Sequence, residues 1–73
     1  MATIYSYESY AIKVLTPSRL VLTYENSFIC KADRDEDGFE ELARTIAECL
    51  FEDKELKAKD MDKFVNAIKD IIR

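Results

Sequence analysis

Carboxylates are the one chemical resource this chain concentrates. Between residues 33 and 53, nine acids stand against two bases, Arg34 and Arg44, a local net charge of −7 in a chain whose total is −4. The segment opens Asp33-Arg34-Asp35-Glu36-Asp37-Gly38. Alternating aspartates ending in glycine present oxygens to a hard cation, with the glycine permitting a sharp turn. The acids continue as Glu40, Glu41, Glu48, Glu52 and Asp53, interleaved with Phe39, Leu42, Ala43, Ile46, Ala47, Leu50 and Phe51. That interleaving is helical, so one face must be buried while the other holds carboxylates in solvent. Such a row has two uses: it can hold a cation, or it can meet a basic surface.

The cation reading rests on residues 33–38, which resemble the first half of the EF-hand calcium loop. The resemblance implies Asp33, Asp35 and Asp37 as metal ligands. It covers six residues and stops. The family's eighth position is aliphatic, where this chain has Glu40. The twelfth is a bidentate glutamate, where this chain has Arg44, which offers no oxygen. A strand, not a helix, leads into the segment. An acidic turn capping a helix is therefore the simpler expectation, with no metal and no cofactor; a calcium-binding module, with Glu41 as a further oxygen donor, is the alternative.

The basic-surface reading takes Glu36, Asp37, Glu40, Glu41, Glu48, Glu52 and Asp53 as partner-binding residues along a rod. A nucleic-acid-binding protein would meet such a row with the lysines and arginines that otherwise meet phosphates. Arg44 interrupts the row and can pair with Glu40 at i,i+4. The plainer alternative is a solubilising surface. Tyr5 and Tyr7, with Tyr10 and Tyr24 close behind, add a tyrosine cluster of the kind enriched in interface hot spots, although tyrosines also line sheets. Should the segment around Tyr5 and Tyr7 be an edge strand, it can pair with its own copy, and a structural homodimer is the third reading.

Other classes are disfavoured. A basic footprint is missing, so direct nucleic-acid binding is not expected. There is no histidine to serve as base and only one glycine, too few for a phosphate cradle, so no enzyme is expected. Cys30 and Cys49 are too few for a disulfide scaffold and read as buried free thiols. The first residues, MATIYSYESYAIK, lack the basic and apolar regions of a signal peptide, and no apolar run is long enough to span a bilayer, so a cytoplasmic location is expected. Small acidic chains of this kind are frequent among inhibitors that viruses and mobile elements direct against host nucleic-acid-processing proteins. That precedent sets the leading expectation: a non-enzymatic module that binds, and inhibits or modulates, a protein with a basic surface, acting in the host cytoplasm if virus-encoded.

The elements that must position these residues follow from pattern. With 73 residues there is room for one domain, 1–73, of marginal stability. Residues 3–15 are rich in strand formers and read as one long strand or two short ones, with Tyr5 and Tyr7 on one face and Ile4, Ser6 and Tyr10 on the other. Thr16-Pro17-Ser18-Arg19 is a turn, residues 20–24 a strand, Glu25-Asn26-Ser27 a hairpin turn, and residues 28–32 the returning strand. The main helix is expected from Gly38 to Glu52, capped by Asp37 with Glu40 completing a capping box. A second helix follows Asp60, with Met61, Phe64, Val65, Ile68, Ile71 and Ile72 on one stripe. Tight connections require antiparallel neighbours. The expected fold is therefore a two-layer α+β domain: an antiparallel meander sheet of three or four strands followed by two helices on one face. Ile12, Val14, Leu20 and Leu22 would close the core.

Overall fold

A computed structural model describes residues 2–71. Four strands, β1 (Ala2–Tyr7), β2 (Tyr10–Thr16), β3 (Arg19–Tyr24) and β4 (Ser27–Asp33), precede two helices, α1 (Glu36–Glu52) and α2 (Met61–Ile71), the second entered through a 3-10 turn at Ala58–Asp60. The strands form one antiparallel sheet in the order β1-β2-β3-β4. This is the expected α+β meander of three or four strands, and it has four. Residues 3–15 divide into β1 and β2 at a two-residue turn, Glu8-Ser9, where Glu8 takes a φ of 53°.

That turn corrects the expected face of Tyr10. Tyr7 and Tyr10 are directly paired, so Tyr5, Tyr7, Tyr10 and Ile12 share the helix-covered face. Strict alternation along a continuous strand would have put Tyr10 opposite Tyr7; a two-residue turn reverses the chain and restores the register. The β3–β4 turn holds both Glu25 and Asn26 at positive φ (50° and 67°), as a type I′ hairpin requires. The amide of Glu25 donates to the Ser9 carbonyl at 3.0 Å, tying these two turns together at one end of the sheet.

Each ladder carries one bulge. Pairing jumps from Thr3 to Tyr5 on β1, from Val14 to Thr16 on β2, and from Cys30 to Phe28 on β4. The extra residues are Ile4, Leu15 and Ile29, and all three are exposed aliphatics. A bulged residue leaves the period-two alternation, which is why an apolar residue stands in solvent there. On the helix-free face Val21 and Thr23 are nonetheless buried. Their cross-strand neighbours, Lys13 and Lys31 for Val21, Ala11 and Phe28 for Thr23, cover them.

The start of α1 lies two residues earlier than expected. Asp35, not Asp37, is the N-cap, and its carboxylate accepts a hydrogen bond from the Gly38 amide at 2.7 Å. With Gly38 three residues after the cap, no side chain answers back to form a capping box. Gly38 is needed for space. It sits in the first helical turn, and a Cβ there would collide with the backbone carbonyl of Asp33. At the other end the Lys54 amide donates to Phe51 O at 3.1 Å and the Glu55 amide to Leu50 O at 2.8 Å, while Lys54 adopts a φ of 62°. This is a Schellman stop with lysine where glycine is usual.

The helix layer closes over Ile12, Leu20, Leu22 and Ala32 with Phe39, Leu42, Ala43, Ile46, Ala47 and Leu50 from α1 and Val65 and Ile68 from α2. Each large side chain so buried contributes roughly 1.5–3 kcal/mol. α1 lies over β3 and β4 and packs against α2. The Tyr7 ring meets Phe64 edge to face, 5.2 Å between centroids at 89°, which places α2 beside β1. Ile72 lies outside the described residues.

Two expectations follow for stability. Left-handed backbone is strained for lysine and open to glycine, so Lys54→Gly should stabilise by about 0.5–1 kcal/mol and raise Tm by a few degrees, as read by thermal melting. Burial, reinforced by the neighbouring Cys49 thiol, pushes the Tyr10 phenol up to about 12 from its ordinary 10. The fold therefore holds this proton more tightly than the unfolded chain does. The stability it supplies is in place below pH 10 and is lost as pH rises from 10 to 12. Denaturant melts across that interval should show a smaller alkaline loss in Tyr10→Phe than in the parent.

Candidate functional site

Anchoring of the apolar stripe leaves α1 no freedom to rotate. At 100° per residue, Asp37, Glu41, Glu48 and Glu52 fall within about 60° of one another on the side turned from the core. All four are exposed. They extend over about 22 Å of helix, as two i,i+4 pairs separated by the turn that holds Arg44 and Thr45. Among the described residues no hydrogen bond or ion pair engages their carboxylates. The stripe runs beside β4: Glu41 lies close enough to Cys30 to reinforce the rise that burial imposes on that thiol. Cys30 and Cys49 are free and half-buried against the core.

Arg44 does not break the row. Its guanidinium turns sideways to α2, with Nη1 3.3 Å from Asp62 Oδ1 and Nη2 4.0 Å from Glu40 Oε1. Lys69 of α2 reaches the same Glu40 oxygen at 3.3 Å. Glu40 therefore leaves the proposed docking set and joins a four-membered charge cluster that staples α1 to α2. The sequence spacing placed Glu40 beside Arg44 but could not reveal Lys69, twenty-nine residues away.

The remaining expected residues divide. Glu36 and Asp53 are exposed at the two ends of α1, Asp53 serving as the C-cap. Tyr5 and Tyr7 face inward, half-buried, and burial raises the Tyr5 phenol. They line the sheet beneath α2 instead of standing in solvent. Asp33, Asp35 and Asp37 are not brought together. Asp33 pairs with Arg19, Asp35 is the helix cap, and Asp37 lies on the outer stripe. A chain already helical from Glu36 cannot curl around a cation as a calcium loop does. Among the described residues no group of three or more His, Cys, Asp or Glu is placed to hold a metal ion. Nor, among them, is any helix long and apolar enough to cross a membrane.

One feature of the stripe runs against local stability. The last turn of α1 has no basic residue and ends in Glu52 and Asp53. Negative charge there opposes the helix macrodipole. Glu52→Lys should therefore stabilise the fold by about 0.3–1 kcal/mol, whereas Glu40→Lys, which sets a third cation against Arg44 and Lys69, should destabilise it. Denaturant midpoints at low salt measure both, and loss of stability in Glu52→Lys would show that Glu52 has a structural partner.

No protein-family model matches the chain, and no significant match is found among curated proteins or solved structures.

Proposed function

We propose that this protein is a non-enzymatic binding module whose outer α1 stripe, Asp37, Glu41, Glu48 and Glu52, docks on a basic surface of another protein and blocks or modulates it. The surface is of the kind that otherwise contacts nucleic acid. One observation carries the reading: carboxylates that no hydrogen bond or ion pair engages among the described residues are held in line on a rigid helix, and the last of them stands where the helix dipole disfavours it. Departures from local consistency of this kind concentrate at functional surfaces. The helix supplies preorganisation, since its buried face sets the direction of every carboxylate before contact and little ordering remains to be done on binding. Spacing of about 6 Å within each i,i+4 pair lets separate lysine or arginine side chains engage each acid. The diverted Arg44 matters here, because a cation lying in the row would repel a basic partner from its centre.

The test compares the parent with Glu41→Lys/Glu48→Lys/Glu52→Lys as bait in cells that naturally make the protein. All three positions are exposed, so the variant should fold, with circular dichroism as the check. Basic proteins captured by the parent should be released by salt, displaced by duplex DNA, and bound at least tenfold more weakly by the variant, each lost charge pair removing about 1 kcal/mol. Capture that survives the triple reversal, or that DNA does not displace, overturns the reading.

A further inference from the structure

The flank opposite the acidic stripe has an uncharged edge strand and is unfinished. β1 is an edge strand, paired to β2 alone. Its six residues, ATIYSY, include no charge and no proline, two of the devices that keep sheet edges from pairing. Its one irregularity, the bulge at Ile4, turns an aliphatic outward. The other edge is guarded: β4 carries Lys31 and Asp33, the latter paired with Arg19, and α1 lies over it.

Above β1 sits a second apolar stripe that the core uses only in part, through Phe64. Val65 and Ile68 of α2 point into the core, and Asp62 and Lys69 point to α1. Phe64, Ala67 and Ile71, at i, i+3 and i+7, fall on the remaining side, and the Phe64–Tyr7 contact sets that side over β1. Ala67 is exposed and Ile71 is 66% exposed. Ile71 and Ile4 border an open groove of about 560 Å³ floored by Leu20 and Phe39 and also lined by Arg34, Asp35 and Glu36.

We propose that this flank is a two-fold interface occupied by a second copy of the chain. β1 would pair antiparallel with β1 of the other copy, making an eight-stranded sheet with both helix layers on the same face. An isologous contact needs a surface complementary to itself, and an antiparallel edge is one. Dimensions agree. Outer strands of a four-stranded sheet lie about 14 Å apart and paired helices 8–10 Å apart, so each α2 sits about 5 Å from the seam. The two α2 helices would then run antiparallel about 10 Å apart, a normal packing distance. Ala67 lies near the crossing, where a small side chain permits close approach. Lys63 and Asp70, placed symmetrically about that crossing, bring a lysine of each copy opposite an aspartate of the other. Charge favours the same arrangement. In a chain of net −4 a flank where β1 has no charge and Lys63 offsets Asp70 is where two copies meet with least repulsion, and the acidic stripes end up at the two far ends. The proposal does not depend on what the stripe binds.

Sedimentation equilibrium of the full chain from micromolar to millimolar concentration tests it. A monomer–dimer equilibrium is expected, with the dimer the largest species. Ala67→Glu and Ile71→Lys, both at exposed positions, should keep the fold and its melting transition while weakening dimerisation at least tenfold. Hydrogen exchange should slow with concentration at β1 amides and not at those of β4. A monomer at millimolar concentration, species larger than a dimer, protection at β4, or a dimer unaffected by both variants would each overturn the proposal.

Discussion

Contact between one stripe of α1 and one face of the sheet governs the rest of the molecule. Phe39, Leu42, Ile46 and Leu50 lie over Ile12, Leu20 and Leu22 with almost no surface left to water. A domain of this size has no second core to fall back on, so this contact must both stabilise the fold and orient the helix. Once that stripe is seated, every other side chain on α1 has an assigned direction. The outer carboxylates are therefore aligned by packing, at no conformational expense to themselves.

Charge is distributed about that contact in three ways. Toward α2 the acids are neutralised: Glu40 and Asp62 meet Arg44 and Lys69 across the helix pair. Away from α2, along the side overlooking β4, no hydrogen bond or ion pair among the described residues engages Asp37, Glu41, Glu48 or Glu52. On the far flank β1 carries no charge, and on the outer side of α2 Lys63 and Asp70 stand beside the exposed Ala67 and Ile71. A small domain thus presents one acidic and one apolar flank, separated by the width of the sheet.

The aspartates of residues 33–38 show how packing overrides a local pattern. Their alternation would suit a cation if the chain looped there. Instead, the core pulls Phe39 and Leu42 inward, helix formation spreads back to Glu36, and each aspartate is directed elsewhere. Gly38 serves a close approach to the Asp33 carbonyl and not a cation-binding turn.

Hydrophobic periodicity by itself determined the element types, the order of strands before helices, most of each helix's inward stripe and the Leu20–Leu22 face, because these depend on spacing within one element; Phe51 and Ile71, expected on those stripes, stand exposed. Periodicity also located the acids on the far side of α1. What periodicity could not resolve was set by contacts between elements distant in sequence. A two-residue turn decided the face of Tyr10, bulges put Ile4, Leu15 and Ile29 in solvent, and steric room beside Asp33 decided where α1 begins. The same holds for charge: Glu40, Glu41 and Glu48 are equivalent as letters. Only the placement of α2, with Lys69 and Asp62 on its inner side, separates the acid that holds the fold together from the acids that face outward. Residues so far apart in the chain meet through tertiary packing, and that packing assigned their roles.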